Sequence, residues 1–413
     1  MLMCLFVLSI SWGQALAGAA QELTPGEMTL DQAVSYALEH SPELQSAKAE
    51  IERREGVAMT ARAGLLPQLD VFGDLSHTRY DHAYPPATSP QVIRFDDTIY
   101  LAGAELKVLV WDFGQTAKEL AAARERIDSA KSLQDRRRQE VIYSVASLYL
   151  KALTYDDLID AARSTQKSLQ VLLEKTRALV NAGRAVPADA LKVSTRMAQV
   201  ESDLATLEAG RRTTVSQLAA VMGLEGDLPR LVYAAPDWEN LSVQGREDEL
   251  IHEALARRPD LGSQTQEVRA ASDLETAARR SRWPRTDLRA GAYEYAASDP
   301  SSSLGTLGPK PHEAAGDLAV ELRVTFPLFD AGKRRGQIRA AGAQTALARA
   351  AEKKLRLDIA KEVRSGLAEL ESAMKRVRAT RQSVVEAEEV LRNEKLKYEA
   401  GRSVINFVLD AEA

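Results

Sequence analysis

A single long helix constrains this sequence more than any other feature. Residues Gln115–Asn181, 67 in all, include no proline or glycine. At roughly 1.5 Å rise per residue they form a rod of about 100 Å, which a compact globular domain does not need. Apolar or small residues recur every seven positions along most of it, at Leu120, Ile127, Val141, Leu148, Tyr155, Ala162 and Leu169. This spacing predicts a coiled-coil seam that packs against several helical neighbours.

The rod is expected to fold back on itself as an antiparallel hairpin. The segment Ala182–Pro187 has a glycine, Gly183, at the helix end and a proline shortly after it, which together form a helix-stop signal. A second helix restarts at Ala188 and continues to Met222. Residues 115–222 are therefore predicted to form a coiled-coil hairpin with a short tip.

The composition favours a helical, non-enzymatic protein. Aromatic residues make up 5% of the chain and charged residues 27%, which suits long solvated helices better than a thick globular core. The net charge is −5, and acidic and basic residues are interleaved, so no nucleic-acid-binding patch is indicated. The five histidines are scattered, and the sequence has no phosphate-binding glycine-rich loop. We expect no enzymatic activity, catalytic residue, cofactor, bound metal or nucleic-acid partner.

The N-terminus has the pattern of a secretory signal peptide over residues 1–19. The apolar stretch Leu2–Trp12 is followed by small residues, with candidate cleavage sites after Ala17 and Ala19. A short buried or membrane helix is the alternative. Cys4, the only cysteine, lies within the signal. Lipid attachment at Cys4 is not expected, and cleavage would leave a chain without thiols.

The chain is interpreted as a tandem duplication. Matching residues keep a nearly constant shift, which is 217 positions for Pro42 with Pro259 and for Pro67 with Pro284, and 218 positions for Gly183 with Gly401. This period is too long for a solenoid repeat, so it indicates two homologous halves. We predict a first repeat at residues 28–222, a connector at 223–245 and a second repeat at 246–413.

Each repeat is expected to contain a helix, a β-hairpin and a coiled coil. The predicted elements are helix Thr29–Ala63, hairpin 68–111 and coiled-coil hairpin 115–222, then helix Glu247–Ser281, hairpin 286–326 and coiled coil 333–413. Loops rich in proline or serine are predicted at Asp81–Asp97 and Ala297–Gly316, within the two hairpins.

The predicted strands have one apolar and one polar face. Apolar residues occupy every second position in Ile99–Val110 and in Asp317–Phe326. Strands of about ten residues with this pattern suit the wall of a transmembrane β-barrel, and a soluble sheet with one covered face is the alternative. Four strands cannot close a barrel, so membranous strands would require several chains. Tyr293 and Tyr295 suit either an interfacial aromatic belt or ordinary strand positions.

Several motifs carry a resemblance to a known family. They are Leu30–Ala33 with Ser41–Leu44, Ala63–Leu69, Phe326–Gly332, and Ala400–Arg402 followed by Val408–Glu412. Together with the duplication, they make the chain after its signal resemble the TolC-like outer-membrane efflux proteins. The resemblance implies an α+β membrane protein that assembles as a homotrimer. Each chain would lend four strands to one twelve-stranded transmembrane β-barrel and its coiled-coil helices to a periplasmic α-barrel.

The resemblance also implies a function and a set of partners. The chain would be the outer-membrane channel, with porin activity, of a tripartite efflux or type I secretion system in a Gram-negative bacterium. It would conduct substrates passively from a periplasmic adaptor and an inner-membrane pump of the RND, ABC or MFS type, across the outer-membrane lipid. A periplasmic coiled-coil structural or adaptor protein without a pore is the alternative, although such a protein would not carry two alternating β-hairpins.

The family's functional regions correspond to the two tips of this chain. The resemblance implies adaptor docking at Gly183, Arg184, Gly401 and Arg402. It places the pore constriction six and nine residues after the second tip glycine, at Phe407 and Asp410, so that one of the two rings is acidic.

Two further expectations concern junctions and the chain end. Asp112 and Asp330 each lie two residues before a glycine at a predicted strand-to-helix junction, so turn and helix-start roles are expected for them. Twelve residues follow Gly401, where the duplication calls for about forty. The second hairpin would then lack most of its returning helix and leave the seam Val363–Tyr398 uncovered, as in a fragment or a chain that has lost its end.

Overall fold

The computed structural model describes residues 26–84, 91–232, 245–297 and 315–412. By internal contacts the chain divides into two compact units. The first, here called the helical unit, comprises the described residues within 1–49, 132–261 and 354–413. The second, here called the sheet unit, comprises those within 50–131 and 262–353.

Most of the described chain is α-helical. The helices are α1 (Leu30–His40), α2 (Pro42–Ala63), α3 (Gln115–Asn181), α4 (Pro187–Met222), α5 (Glu247–Arg257), α6 (Pro259–Arg280), α7 (Lys333–Glu399) and α8 (Ile405–Glu412). Within the described ranges, none of them combines the length and the hydropathy that a bilayer-spanning helix requires.

The two longest helices agree with the sequence pattern. Helix α3 has the predicted bounds and contains 67 residues. Helix α7 also contains 67 residues, starts at the predicted position 333 and ends at Glu399, just before the second tip glycine. Helix α4 starts one residue before the predicted Ala188 and ends at Met222, as predicted. It is capped by Gly223, which adopts φ 73° and donates its N–H to the carbonyls of Ala219 and Ala220. The predicted turn at the first tip and the returning helix are confirmed.

The predictions of one continuous helix at Thr29–Ala63 and another at Glu247–Ser281 are wrong, because each is broken near its first third. Ser41 has φ −57° and ψ 127° between α1 and α2. Arg258 has φ −73° and ψ 120° between α5 and α6. Both residues precede a proline, whose ring disfavours the helical conformation of the residue before it. The local steric effect therefore overrides a continuous amphipathic pattern.

The helical unit contains a two-stranded parallel ribbon that the sequence pattern missed. Strand β1 (Glu27–Met28) pairs with β4 (Arg230–Leu231) inside the predicted connector 223–245. The Tyr149 side chain from α3 is buried beneath it. The Tyr149 hydroxyl lies 2.8 Å from the Met28 carbonyl oxygen and 2.6 Å from that of Val232, and it accepts the Val232 N–H at 3.1 Å. Burial raises the pKa of this phenol, so the group stays neutral.

The sheet unit contains a four-stranded antiparallel sheet. Its strands are β2 (Gln68–Tyr84), β3 (Gln91–Trp111), β5 (Arg285–Ala297) and β6 (Ala315–Thr325), in the order β2-β3-β5-β6. The predicted loop Asp81–Asp97 is wrong at both ends, because β2 continues to Tyr84 and β3 starts at Gln91. Polar residues at the end of β2 and the start of β3 break the hydropathy pattern by which a strand is recognised in the sequence. The central part of that loop and residues 298–314 of the second loop lie outside the described residues.

Removing the Tyr149 hydroxyl should loosen the ribbon without unfolding the helices. In Tyr149→Phe two buried carbonyls lose a shared donor, a cost of about 1–2 kcal/mol. We expect about tenfold faster hydrogen exchange at the Arg230 N–H, which bonds the Gly26 carbonyl at 2.9 Å, and at the Val232 N–H. Tyr143→Phe, on the same helix, is the control. Equal exchange in the two variants would contradict this role of the hydroxyl.

Candidate functional site

One face of the four-stranded sheet is an apolar surface. Cross-strand register aligns four residues in one row, Leu69 on β2, Leu106 on β3, Ala290 on β5 and Val320 on β6. On the outer strands the apolar side chains of this face are 61–88% exposed, at Leu69, Val71, Leu75, Leu318, Val320, Leu322 and Val324. Apolar area on this scale marks a surface that contacts lipid or another protein.

The opposite face of the sheet is charged. Cross-strand neighbours on this side include Lys107, Arg289 and Glu321, one position away from the apolar row on each strand. The Lys107 ammonium lies 3.2 Å from carboxylate oxygens of both Asp70 and Glu105. The alternation predicted from the sequence is therefore present, with one face suited to lipid and the other to water.

A β-bulge extends the apolar face at one end of the sheet. The register between β3 and β5 shifts at Leu109–Trp111, so that Trp111 rather than Val110 lies opposite Thr286. The extra residue rotates Trp111 onto the side of the apolar row. There Trp111 packs edge-to-face on Phe113 at 5.9 Å between ring centroids, and Phe113 stacks on Trp283 at 5.3 Å. All three rings are exposed.

This cluster, here called the aromatic rim, was missed by sequence analysis, which considered Tyr293 and Tyr295 as either an interfacial belt or ordinary strand positions. Tyr293 lies opposite Gly103 on the charged face, which favours the ordinary strand position for this residue. A single inserted residue reverses the face of the residues that follow it. The bulge therefore explains why Trp111 lies on the apolar face, whereas an unbroken register would place it on the charged face.

Asp112 and Asp330 start the two long helices, as predicted. The Asp112 carboxylate accepts the Gly114 N–H at 2.9 Å and the Thr116 N–H at 2.8 Å, and Asp330 accepts the equivalent Gly332 and Arg334 N–H groups at 3.1 Å each. Burial raises the pKa of Asp112, but the hydrogen bonds from Thr116 and Gly114 outweigh it and the net pKa lies below the ordinary value. The carboxylate stays ionised and caps the helix.

The two tip glycines share one backbone conformation. Gly183 has φ 66° and Gly401 has φ 69°. In each tip the following arginine N–H returns to the helix, from Arg184 to the Leu179 carbonyl and from Arg402 to the Lys397 carbonyl, both at 2.8 Å. This is the Schellman pattern, in which a left-handed residue ends the helix. No atom lies within 4 Å of a Cβ built on either glycine, so backbone conformation and not space favours glycine here.

The two tips meet in one hydrophobic cluster, here called the tip cluster. Its buried members come from α3, α4, α7 and α8, and they are Leu169, Leu172, Leu173, Val193, Val200, Tyr398, Ile405 and Val408. The contact joins segments more than 200 residues apart in the chain, so sequence periodicity could place each residue on a helix face but could not pair them.

Polar contacts surround the tip cluster and join several of its helices. Lys395 donates to the Ser168 hydroxyl at 2.8 Å and pairs with Glu412 at 2.9 Å. Lys192 donates to the Asn406 amide oxygen at 3.1 Å. A further ion pair joins Lys175 and Glu399 at 2.5 Å. Sequence analysis assigned no role to these residues because each contact depends on tertiary packing.

The two predicted constriction residues, Phe407 and Asp410, lie on the same face of helix α8. Ile405 and Val408 are buried in the tip cluster. Phe407 is 59% exposed and Asp410 is exposed, three positions apart on the other side of the helix. Residues at this spacing share one helix face. The tip residues Arg184 and Arg402 are exposed as well, and both belong to the helical unit.

The middle of helix α7 carries exposed apolar side chains. In the predicted seam, Val363 and Tyr398 are buried, whereas Val377 and Val384 are about half exposed. Across the described residues, no group of three or more histidine, cysteine or acidic side chains is placed to hold a metal ion.

Comparison with known proteins identifies the family. A family model described as outer membrane efflux protein matches residues 33–224 and 250–413. The chain belongs to the outer membrane efflux protein family. Protein CyaE of Bordetella pertussis is 24% identical over 356 residues, which cover 84% of this chain and 70% of the relative. The pyoverdine export outer membrane protein OpmQ of Pseudomonas putida is 23% identical, over 93% of this chain and 79% of the relative.

Solved structures agree with the family. The channel protein CusC matches with a TM-score of 0.76 at 19% identity, covering 93% of this chain and 85% of that structure. The outer membrane protein VceC of Vibrio cholerae matches with a TM-score of 0.74 at 20% identity, covering 93% and 89%. The fold is that of outer-membrane efflux channels, mostly helical with a small share of strands.

Family membership places this efflux protein in the outer membrane with an extension into the periplasm. This location disagrees with the alternative of a periplasmic coiled-coil structural or adaptor protein without a pore. The resemblance stated from the sequence motifs is therefore confirmed.

Proposed function

We propose that three copies of this chain form an outer-membrane channel that conducts substrates passively out of the periplasm. One observation carries the proposal, the four-stranded sheet with an exposed apolar face, a charged opposite face and two edges that have no partner strand among the described residues. In lipid, such edges must pair, because unsatisfied backbone groups in hydrocarbon cost several kcal/mol each. Pairing with further copies satisfies them.

Strand direction and number favour three copies. Strands β2 and β6 run in opposite directions, so the β2 strand of a second copy can continue the sheet antiparallel to β6. Two copies would give eight strands, whose interior is filled by side chains. Three copies give twelve strands, with an interior wide enough for an aqueous passage, and the resemblance to the TolC-like family favours this number.

The dimensions of the apolar face also fit an outer membrane. On β3 the apolar face runs from Tyr100 to Val110, which corresponds to roughly 34 Å along the strand. With the tilt of about 40° that is usual in membrane barrels, this gives a height of about 26 Å, close to the apolar band of such proteins. The aromatic rim at the β3 end would lie at the lipid–water interface.

The tips are proposed as the docking surface for a periplasmic adaptor. Helices α3, α4 and α7 of three copies would form an α-barrel, and the exposed tip residues Arg184 and Arg402 would contact the adaptor. The adaptor would connect to an inner-membrane pump of the RND, ABC or MFS type. The relative OpmQ is a pyoverdine export protein, which supports an efflux role for this chain. Type I secretion is the alternative that family analogy offers.

Phe407 and Asp410 are proposed to line the closed end of the passage. Their exposure on the side of α8 away from the tip cluster supports this placement. Three copies would bring three carboxylates of Asp410 toward one axis, where their charges attract cations.

Trimer closure can be tested with engineered disulfides between the sheet edges. Val320→Cys on β6 would be combined in turn with Leu69→Cys, Val71→Cys or Leu75→Cys on β2, in a Cys4-free mature chain. We expect one combination to give linked dimers and closed trimers on non-reducing gels, since only neighbouring strands bring cysteines within bonding distance. The combination Val320→Cys with Leu106→Cys on the inner strand β3 is the control. If oxidation gives linked dimers but no linked trimers, or no linked species at all, the result would argue against the trimer.

Docking can be tested through the conformation of the second tip. Gly401→Val should disturb the tip, because a β-branched residue is strained at φ 69°, whereas Gly401→Asn should be tolerated. A photo-reactive side chain at the exposed Val404 should cross-link to a periplasmic adaptor in the native cell. We expect at least a fivefold loss of that product with Gly401→Val and little loss with Gly401→Asn. The same yield in both backgrounds would contradict docking at this tip.

The constriction can be tested by ion selectivity in planar bilayers. Asp410→Ala should move the reversal potential in a KCl gradient toward zero, since removing three like charges from the axis lowers the preference for cations. Asp160→Ala, which removes an exposed carboxylate of α3, is the control. An unchanged reversal potential in Asp410→Ala would place this residue off the conducting path.

A further inference from the structure

Two aromatic rings lie side by side on the charged face of the sheet. Phe72 of β2 and Tyr293 of β5 flank Gly103 of β3 in one cross-strand row. Their ring centroids are 6.0 Å apart, with 54° between the planes. Both side chains are half-buried. Aromatic residues on a face that is otherwise charged need an explanation other than contact with lipid.

Glycines let these rings approach the backbone. A Cβ at Gly103 would lie 3.0 Å from the tip of the Phe72 ring and 3.0 Å from the Tyr293 ring. A Cβ at Gly291 would overlap the Tyr293 ring, which covers that glycine. One face of the Tyr293 ring is therefore occupied by the sheet, and the Phe72 ring is tilted against it by 54°. The other face of the Tyr293 ring is open to a second flat or cationic group that could stack on it.

Carboxylates surround the two rings. Asp317 lies beside Tyr293 in the same row, Asp70 and Glu105 lie in one adjacent row, and Asp74 lies in the other. The next row holds Lys107, Arg289 and Glu321, and Lys107 pairs with Asp70 and Glu105. These four rows therefore hold five carboxylates against two cations. The charge around the rings is negative, and the π-face of an aromatic ring is also negative.

We propose that Phe72 and Tyr293 form a binding site for organic cations with a flat apolar part, inside the passage. This site, here called the aromatic collar, rests on the proposed channel, because the charged face lines a passage only if the sheet closes. Three copies would place six rings at one level. Cation–π contact and the nearby carboxylates attract the solute, and the open side of each ring lets it leave again, as conduction requires.

The test uses block of single-channel current by tetraphenylphosphonium added on the barrel side of a planar bilayer. Tetraethylammonium, which has the same charge and no aromatic ring, is the companion probe. We expect tetraphenylphosphonium to block the wild type at a lower concentration than tetraethylammonium. Tyr293→Leu should raise its half-blocking concentration about tenfold and leave that of tetraethylammonium unchanged, whereas Tyr293→Phe keeps the ring and the block.

A glycine pair supplies the matched control. Gly291→Ala keeps every aromatic residue but forces the Tyr293 ring off the sheet, so it should weaken the block severalfold. Gly73→Ala adds the same methyl group where no atom lies within 4 Å, on the apolar face, and should leave the block unchanged. Tyr100→Leu removes an exposed aromatic ring from that apolar face and should also have no effect.

The outcomes separate the collar from the channel. If the wild type conducts and tetraphenylphosphonium has the same half-blocking concentration in Tyr293→Leu, the collar alone is overturned. An equal loss of block in Tyr100→Leu would also overturn the collar alone. If Tyr293→Leu forms no channels, Phe72→Leu decides, with an expected rise of about threefold in the half-blocking concentration of tetraphenylphosphonium. A wild type that assembles as a trimer but carries no current overturns the channel, and the collar with it.

Discussion

Backbone hydrogen bonding at the sheet edges is the constraint on which the rest of this architecture depends. Four strands present one apolar face, yet strands β2 and β6 have no partner strand among the described residues. In water this arrangement invites aggregation, and in lipid it is not viable. The proposed assembly of identical copies would remove both edges and define an inside and an outside. Charges such as Lys107 and Asp70 would then be tolerated because they would face water in the interior.

A backbone hydrogen-bonding constraint also governs the junction between each strand pair and its long helix. The second strand of each hairpin, β3 or β6, is followed by a turn and then by a long helix, whose first N–H groups have no partner within the helix. Asp112 and Asp330 accept those groups at equivalent positions, and the residue after each aspartate takes a positive φ, 56° at Phe113 and 52° at Ala331. The aspartates therefore have a structural role. Each lies two residues before a glycine because both residues belong to the same turn, and not because of catalysis.

Local and periodic features of this fold could be predicted from sequence, and features that depend on tertiary contacts could not. The seven-residue spacing predicted the seam of α3, and the glycine and proline of Ala182–Pro187 predicted its end, because helix periodicity and termination are encoded nearby in the chain. The break at Ser41 was missed because the amphipathic pattern continues through it. Strand β1 depends on Tyr149, more than 100 residues away. The aromatic rim depends on one bulged residue, and the tip cluster depends on packing between helices that are distant in the chain.

Glycines mark the two proposed functional regions of this chain, the tips and the aromatic collar, for different physical reasons. At Gly183 and Gly401 a methyl group would meet no atom, and the positive φ alone favours glycine. At Gly291 the backbone is extended, and glycine is required because the Tyr293 ring occupies the place of a side chain. The first kind shapes a turn that a partner can recognise by its backbone. The second kind fixes the orientation of a ring, so the surface offered to a passing solute is set by what the glycine lacks.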